Sequence, residues 1–340
     1  MSSALRADLR EGLTAAAAAE GFQRHRWVHS SVLPETVRRH PQVAAAGNGS
    51  FLMVALSCFR REPDDPSTPG DPQALLAPFA RRNYYREAVF RLKRAAARAL
   101  AGAEIQPAAR AGIPAVNGLH IFANSRFPEK ALAAAAGLGF LGANSLVIAP
   151  GLGSLFVIAG LFVPEDLGSD RPLTDGQQPG GRCGSCRACR DACPLGALPE
   201  PGRLDRARCL QALATATSAW PAGAREAWAC RLYGCQVCQE VCPFNCGLAL
   251  ETATERGALG PGVPLRRLLS GPAPALKQAL RGTVLDRSWI PAEALLRNGL
   301  LAAGHRGDPA VLDEVRARCA DLSPVVQEAA AWAEDSIRRG

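Results

Sequence analysis

Apolar residues in the first half of the chain recur with both helical and strand-like spacing. Residues 2–20 are rich in alanine, the strongest helix former, and residues 77–103 carry an apolar stripe at helical intervals. Between them, the unbroken apolar run at 51–58 (FLMVALSC) predicts a short buried strand, and the Pro-, Asp- and Gly-rich residues 62–72 predict a loop. Helices and strands are therefore mixed in this part of the chain.

The same mixture continues further along the chain. The pattern predicts a helix at 128–136 and strands at 145–149 and 154–163. Helices interspersed with strands favour an α/β or α+β domain. Because residues 166–182 are rich in Gly, Pro and Asp, we place the end of this domain within them and assign it residues 1–175.

A glycine-rich turn, GLGFLG at 137–142, has the spacing of a dinucleotide-binding fingerprint. That fingerprint requires a strand before the turn and an acidic residue further on for the ribose. Here a predicted helix precedes the turn, and no suitably placed acid follows it. The context therefore argues against a Rossmann-type nucleotide site.

The chain becomes helical again towards its end. Asp308 and Ser323 each stand before a proline, an arrangement typical of an N-cap followed by the first helical residue. Short paired helices of this kind resemble HEAT-type repeats. One or two repeats cannot stand alone, so we expect a small HEAT-like α-helical domain at 261–340, packed on the rest. The predicted helices are 292–303, 309–320 and 324–338.

Composition sets limits on the class of protein. A chain of 340 residues that is 48% hydrophobic can fill more than one core. Its longest strongly apolar stretch, 154–163, is about half of the roughly 20 residues that span a membrane, and the charged start MSSALRADLREG does not resemble a signal peptide. We expect a cytoplasmic protein with no membrane segment.

The net charge of +8 lies mainly in residues 1–150, which hold 18 Lys and Arg against 11 Asp and Glu. This excess of positive charge suits a phosphate-bearing partner.

Ten of the twelve cysteines lie between Cys183 and Cys246. In a reducing compartment such crowding indicates a metal site rather than a disulfide framework. The first four spell CGSCRACRDACP at 183–194, which is the CxxCxxCxxxCP spacing of bacterial ferredoxins. In that motif three thiolates wrap one cubane, and the fourth, here Cys193, reaches a neighbouring cluster. The sequence therefore predicts a second motif downstream.

The second motif is CQVCQEVCP at 235–243, with Cys209 as its remote member, and together the motifs define a ferredoxin-like module at 176–260. Zinc would need closed sets of four cysteines at ribbon spacing, and the CxxxCP ending of both motifs argues against it. Two 4Fe-4S clusters pass single electrons, at potentials down to about −700 mV, so an external low-potential donor is expected. Crosswise ligation assigns Cys183, Cys186, Cys189 and Cys242 to the first cluster, and Cys193, Cys209, Cys235 and Cys238 to the second.

Four cysteines fit neither motif. Cys230 and Cys246 flank the second motif, whereas Cys58 and Cys319 lie in predicted core elements. We expect all four to be small buried apolar side chains.

Several segments resemble the epoxyqueuosine reductase family, and with the HEAT-like tail they cover nearly the whole chain. The resemblance implies a reductase that holds cobalamin base-off, with no protein histidine beneath the cobalt, in an N-terminal α/β domain against the cluster module. It implies reduction of epoxyqueuosine to queuosine in a tRNA anticodon, the last step of queuosine biosynthesis. The segments are RLYGCQVCQEVCPFN (231–245), AGLGFLGANSLVI (136–148), the preceding Glu129, and NYYREAVFRLKR (83–94).

Two further features agree with that implication. The chain has no DxHxxG corrinoid-binding motif, as expected for a base-off cofactor, and its basic N-terminal half suits a tRNA anticodon stem-loop. We expect a monomer. The resemblance implies cobalamin contacts at Tyr84, Tyr85, Gly142, Asn144, Ser145, Val147 and Ser154.

The chain departs from the family at four positions around the implied active site. Asn124, in FANSRFPEK, stands where the family has the aspartic acid that donates a proton, and an amide cannot act as a general acid. The family's lysine, histidine and glutamate are replaced by Ala143, Tyr85 and Gly160.

These departures leave three hypotheses. In the first, the reaction is the family's, and Glu129, Tyr84, Tyr85 or water protonates the substrate in place of Asn124. In the second, the chain is a paralogue that keeps cobalamin and clusters but acts on a different substrate. In the third, it is an electron-transfer protein with two clusters and no cobalt.

Overall fold

Helices and strands are mixed along the chain, as the sequence predicted. The computed structural model describes residues 2–58, 62–101, 115–116, 119–171, 180–218, 220–248 and 251–339. The strands within them are β1 (Arg24–His29), β2 (Ser50–Ser57), β3 (Gln73–Leu76), β4 (Ala115–Val116), β5 (Leu119–Ala123), β6 (Phe140–Leu141), β7 (Val147–Ile148), β8 (Phe156–Val163), β9 (Arg231–Tyr233) and β10 (Gly262–Pro264).

The α-helices among the described residues range from four to seventeen residues in length. They are α1 (Ser3–Ala19), α2 (Glu35–Arg38), α3 (Pro41–Ala46), α4 (Tyr84–Ala99), α5 (Glu129–Ala135), α6 (Ala188–Asp191), α7 (Leu210–Leu213), α8 (Ala224–Trp228), α9 (Val237–Glu240), α10 (Leu265–Leu269), α11 (Ala273–Ala279), α12 (Ala292–Arg306), α13 (Leu312–Arg318) and α14 (Pro324–Arg339).

The N-terminal region is built on an antiparallel five-stranded sheet, in the order β1-β2-β8-β5-β4. Alternate residues of a strand point to opposite faces. Leu52 and Val54 of β2 pack with α1 and α4 on one face, and Phe51 and Met53 pack with α5 on the other. Because helices cover both faces, β2 is buried along its whole length, which explains its unbroken apolar run.

A smaller three-stranded sheet joins distant parts of the chain, in the order β10-β3-β9. Strand β3 pairs with β10 antiparallel and with β9 parallel. Each strand therefore comes from a different one of the three predicted domains, and all three share one continuous apolar core. The predicted boundary at residue 175 lies outside the described residues.

The long helix predicted at 77–103 is shorter than expected. It begins at Tyr84, because Asn83 caps it by accepting a hydrogen bond from the Arg86 N–H at 3.1 Å. The residues before it form a short 3₁₀ helix at Pro78–Ala80, directly after β3. No local pattern predicted β3, because this strand forms by pairing with β9 and β10, which lie far away in the chain.

Two other predicted elements also differ in extent. Of the strand predicted at 145–149, only β7 is formed, paired with β6. The helix predicted at 309–320 begins as a 3₁₀ turn at Pro309–Val311 and continues as α13. The Asp308 cap is confirmed, since its carboxylate accepts a hydrogen bond from the Ala310 N–H at 2.9 Å.

The C-terminal helices hold the cysteine-rich region in place. Helix α12 is buried over most of its length and packs closely on α14. Its Asn298 donates to the carbonyls of Ala214 and Leu232, at 3.0 and 2.9 Å, and the buried Arg297 donates to Leu213. These bonds satisfy carbonyls that would otherwise be buried without partners. No described helix is both long and apolar enough to span a membrane.

Candidate active site

The first group of cysteines lies around one small cavity. We call Cys183, Cys186, Cys189 and Cys242 the outer cysteines; all four line a cavity of ≈ 220 Å³. Cys189 lies in α6, and Cys242 follows α9. Cys186 is exposed, whereas Cys189 and Cys242 are buried. The structure thus brings together four thiols from both sequence motifs.

The second group lies deeper, beside a larger cavity. We call Cys193, Cys209, Cys235 and Cys238 the inner cysteines; all four line what we call the central cavity. Each is partly buried and none is exposed. Cys209 directly precedes α7, and Cys238 lies in α9.

Electrostatics within each group favours a bound cation. Burial, followed by the neighbouring thiols Cys235, Cys189, Cys209 and Cys193, raises the pKa of the Cys238 thiol to about 12. Burial also raises the pKa of Cys242, with smaller contributions from the outer thiols Cys183 and Cys186. Thiolates packed this closely repel one another, and bound iron would supply the opposing positive charge.

The cysteine geometry differs from that of a single-ion site. Among the described residues, no three His, Cys, Asp or Glu side chains converge closely enough to hold one metal ion. The four cysteines of each group instead line a shared cavity. A multi-iron cluster bound by four thiolates fits that arrangement.

The four remaining cysteines differ from one another in exposure. Cys58 is buried, as expected, and its pKa is raised to about 12 by burial. Cys230 and Cys319 are partly buried. The expectation of burial is wrong for Cys246, which is exposed because it follows the short 3₁₀ turn at Pro243–Asn245, away from the core.

The central cavity is the largest concave feature beside the cysteines. Its volume is ≈ 360 Å³, and the whole region free of protein atoms, including its open mouth, amounts to ≈ 1490 Å³. Five residues implied by the resemblance line it together with the inner cysteines: Tyr85, Asn124, Asn144, Ser145 and Ser154.

The glycine-rich turn lies between the two groups of cysteines. A Cβ at Gly142 would meet the Ile148 side chain at 2.5 Å, so only glycine allows this close approach. Ala143 donates its N–H to the Cys183 sulfur at 3.4 Å, and the Asn144 amide lies 3.5 Å from the Cys238 carbonyl oxygen. The turn therefore contacts one outer and one inner cysteine.

A polar latch connects the sheet domain to the second cysteine motif. The Asn245 side-chain oxygen accepts a hydrogen bond from the Ser154 N–H at 2.7 Å. The side-chain NH₂ group of Asn245 donates to the Ser154 hydroxyl and to the Gln239 carbonyl. A Cβ at Gly153 would come within 2.1 Å of the Asn245 oxygen, so glycine makes room for the latch. Ser154 thereby forms a fixed part of the cavity wall.

Asn124 lies on a strained loop at the cavity. Its φ of +48° is in the left-handed region, which asparagine tolerates better than most residues. The Glu129 carboxylate accepts hydrogen bonds from the Asn124 and Ser125 N–H groups, at 3.1 and 2.8 Å, and from the Ser125 hydroxyl. Burial raises the pKa of Glu129 while these donors oppose the shift. Asn124 lines the cavity, whereas Glu129 holds the loop from behind.

The two adjacent tyrosines have different surroundings. Tyr84 is fully buried in the core between α4 and the large sheet. Tyr85 is partly exposed because it lines the central cavity. Desolvation, followed by Cys58, Tyr233 and Glu129, raises its pKa well above the usual value, so it carries its proton throughout the neutral range.

Three other sequence-predicted positions lie outside the cavity lining. Val147 is buried in the core on the α5 side of the sheet. Gly142 has no side chain, and its backbone packs closely against Ile148. Gly160 sits in the middle of β8, where a Cβ would meet Phe122 at 2.6 Å and Met53 at 2.9 Å. A glutamate side chain at position 160 would therefore require repacking of this face.

Residues 81–98, which include nearly all of α4 and the residues just before it, carry seven basic side chains. Five of them form ion pairs with acids of the same chain among the described residues, so part of this positive charge is neutralised. The pairs are Arg81 and Arg82 with Glu62, Arg91 with Glu87, and Arg94 and Arg98 with Glu20.

Sequence reasoning missed part of the cavity wall. Phe79, Tyr233, Arg287, Trp289 and Ile290 also line the central cavity. They come from three separate segments that only folding brings together, so no local spacing could have indicated them. A weak signal did exist for Trp289, because large aromatic residues are scarce in this chain.

Comparison with known proteins identifies the cysteine-rich region first. Residues 182–245 match the family described as a 4Fe-4S double cluster binding domain. The chain is thus an iron–sulfur protein with a double-cluster domain, as the two cysteine motifs predicted.

The particular likeness is to epoxyqueuosine reductase, and the resemblance found in the sequence is confirmed. The chain is 32% identical to that of Bacillus subtilis (strain 168) over 62% of its length and 53% of the relative's. It is 35% identical to that of Pseudomonas aeruginosa over 60% of its length and 56% of the relative's. The matched region spans little more than half the length of these curated relatives.

Solved structures extend the likeness to the whole fold. An epoxyqueuosine reductase determined with an epoxyqueuosine-modified tRNA stem loop has a TM-score of 0.76 at 24% identity, covering 97% of this chain and 90% of that one. A selenomethionine-labelled epoxyqueuosine reductase gives a TM-score of 0.77 at 23% identity, with the same coverage. The chain therefore has the epoxyqueuosine reductase fold.

Proposed function

We propose that this chain is a cobalamin- and iron–sulfur-dependent reductase that converts epoxyqueuosine to queuosine in a tRNA anticodon. One observation carries the proposal: the central cavity is lined both by the inner cysteines and by residues that the family resemblance implies for cofactor and substrate. An electron carrier alone would not need a cavity of this size beside its cluster. The fold of a relative solved with a modified tRNA stem loop supports the same reading.

Crosswise ligation of the two clusters is part of the proposal. The outer cysteines bind one cluster and the inner cysteines the other, so that Cys193 and Cys242 each serve the cluster of the opposite motif. Support comes from the separate cavities that the two groups line. Cys189 also lies close enough to Cys238 to raise its pKa, which suits neighbouring clusters that exchange electrons.

Cobalamin is proposed to bind in the central cavity with the N-terminal domain (residues 1–175) as its main support. Tyr85, Asn144, Ser145 and Ser154 would contact it, whereas Tyr84, Gly142 and Val147 would shape the site from behind. Its chemistry is that of a strongly reducing cobalt centre. No histidine is found among the described residues of the cavity lining, which fits a base-off cofactor.

The side chains around the cavity account for the protons of the reaction. Removal of the epoxide oxygen as water consumes two electrons and two protons, and ring opening leaves an alkoxide that needs one of them at once. An alkoxide is more basic than a phenolate, so the Tyr85 hydroxyl can protonate it. Glu129 keeps the Asn124 loop against the cavity, and Tyr84 lies too deep in the core to take part.

The proposed reaction also indicates the substrate, the electron donor and the compartment. The substrate is the anticodon stem-loop of a tRNA, and an external low-potential donor reduces the outer cluster in the cytoplasm. We propose that the chain acts as a monomer. The paired helices α12 to α14 would form the HEAT-like domain at 261–340, packed against the cluster module at 176–260.

A second candidate function rests on Asn124. The family acid is missing at the one position where the loop reaches the cavity, and a paralogue reducing a different substrate would explain this change. The two candidates share cobalamin and both clusters. They differ only in whether epoxyqueuosine is the substrate.

The test begins with protein reconstituted anaerobically with iron and sulfide and offered cobalamin. We expect about eight irons and one cobalt per chain, followed by conversion of an epoxyqueuosine stem-loop RNA to a nucleoside lighter by one oxygen. The isosteric variant Asn124→Asp restores the family acid and should react at least as fast. Iron without cobalt would leave an electron carrier, and cobalt without conversion by either protein would favour the second candidate.

A further inference from the structure

An exposed aromatic side chain stands at the rim of the central cavity. Trp289 is 51% exposed, and among the large exposed apolar side chains of the described residues it is the one that lines this cavity. Exposed indole beside a substrate cavity is costly to leave in water and is a common binding anchor. Its position therefore points to a ligand group that covers it.

The loop that carries Trp289 is held in a fixed shape. It connects α11 to α12, and the Lys277 ammonium group donates to the carbonyls of Leu285, Arg287 and Ile290, at 2.9, 3.1 and 3.1 Å. Ile290 is buried next to Trp289. Because the backbone is pinned on both sides of the indole, little conformational entropy is lost when a ligand packs against it.

A positive charge accompanies the indole. The Arg287 guanidinium lies 5.5 Å from the Trp289 ring centroid and lines the same cavity. Its Nε is buried and has no hydrogen-bond partner among the described residues. Burial lowers the pKa of Arg287, and the nearby Arg86 guanidinium lowers it further. The two neighbouring guanidinium groups outnumber the Asp286 carboxylate that also acts on Arg287, so the local charge favours an anion such as a phosphate.

We propose that Trp289 and Arg287 form a platform for the RNA substrate, with an RNA base stacked on the indole and its phosphate on the guanidinium. The inference rests on the proposed function, which requires one nucleotide of a single-stranded loop to enter the cavity. When that nucleotide leaves the stack, its neighbour loses a stacking partner. Trp289 lies at the rim of the central cavity, where its indole can stack on this neighbouring base in place of the nucleotide that has entered the cavity.

The test measures the affinity of the holoprotein for an anticodon stem-loop RNA by fluorescence anisotropy. Stacking of one base is worth about 1–3 kcal/mol, so Trp289→Ala should weaken binding by about 5- to 150-fold, whereas Trp289→Phe should retain most of it. Phe90→Ala is the matched control, because Phe90 is 42% exposed and flanked by Arg94 and Arg256 but lies away from the cavity. Its affinity should equal that of the wild type.

Arg287→Gln provides an independent reading of the phosphate contact. Loss of one phosphate contact should reduce the slope of log affinity against log salt by about 0.7 for a single strand. Wild-type affinity in Trp289→Ala would overturn the platform. Loss of cobalt from that variant would also overturn it, since Trp289 would then support the cofactor. Absence of RNA binding by the fully loaded wild type would instead refute the proposed function itself.

Discussion

The outer and inner cysteines differ most in what surrounds them. The outer group includes the exposed Cys186 and lies beside Phe244, which is 40% exposed. The inner group has no exposed member and borders the central cavity with Tyr85 and Asn124. One group thus lies at a surface that a protein partner can reach, and the other lines the central cavity, where we propose that cofactor and substrate bind.

The difference teaches how two similar motifs can have different tasks. Electrons from an external donor would enter at the outer cluster, because only that side offers an exposed ligand within the described residues. They would leave from the inner cluster towards the cavity. The direction is set by burial rather than by the motifs, which have nearly the same spacing.

The largest expected effect comes from breaking one group at a time. Cys242→Ala lies in the second motif but should release the outer cluster, leaving about four irons per chain and abolishing turnover with a protein donor. The freed outer thiols should then react with an alkylating reagent, as located by mass spectrometry. Cys238→Ala should instead free the remaining inner thiols.

Cys246→Ala is the matched control for these variants. It removes an exposed cysteine four residues beyond Cys242 and should leave the iron content and the alkylation of the eight cluster cysteines unchanged. Alkylation of Cys235 and Cys238 in the Cys242→Ala protein would mean that each motif binds its own cluster, and the crosswise assignment would then be abandoned.

The next largest effect tests the chemistry on the inner side. Tyr85→Phe removes the hydroxyl of a residue that lines the cavity. If this hydroxyl is the proton donor, as we propose, the change should slow single-turnover reduction of the stem-loop RNA by about 10²- to 10⁴-fold, the usual contribution of a general acid. The raised pKa of Tyr85 means that the proton is lost only above its ordinary value of about 10. The wild-type rate should therefore not fall between about pH 7 and 9 through loss of this proton.

The neighbouring tyrosine serves as the control. Tyr84→Phe removes the same atom from the core and should leave the rate nearly unchanged, although burial raises the pKa of Tyr84 as well, to about 12. RNA affinity and cobalt content should be the same in both variants. Equal rates for Tyr85→Phe and wild type would assign the proton to water or to Glu129.

The cysteine motifs could be predicted from sequence because their chemistry is local, and Asn124 was singled out by the family resemblance. Three-residue spacing places Cys183, Cys186 and Cys189 around one cavity whatever the rest of the fold does. Glu129 reaches back to Asn124 within a single turn. In both cases the residues that act together are close in the chain.

The rest of the site could not be predicted because it depends on tertiary packing. Strand β3 exists only through pairing with β9 and β10, and Trp289 reaches the cavity only through a loop pinned by Lys277. Tyr84 lies in the core and Tyr85 at the cavity because consecutive residues of a helix point in different directions, and only the packing of α4 on the sheet decides which of them is buried. Ion pairing also reduces the positive charge of residues 81–98, and this could not be predicted because the partners Glu20 and Glu62 lie well outside them.

The smallest of the three effects concerns the latch at Asn245. Asn245→Ala removes the acceptor of the Ser154 N–H and the donor to the Gln239 carbonyl, and a buried polar group left unpaired costs about 1–3 kcal/mol. The free energy of unfolding of the anaerobic holoprotein should fall by that amount. Gln327→Ala, which removes an exposed side chain bonded to the Asp321 carbonyl, should cost less than about 0.5 kcal/mol.

Iron content makes this last variant a test of the comparison. Asn245 stands three residues after the outer Cys242, and its backbone N–H donates to the Cys242 carbonyl. Its side chain instead bonds to Ser154 and Gln239 in the wall of the central cavity. If burial on the inner side is what matters, Asn245→Ala should keep both clusters and lose affinity for cobalamin. Selective loss of the outer cluster would show that the latch serves the motif in which it stands, and the separation between an outer and an inner side would then be weaker than we infer.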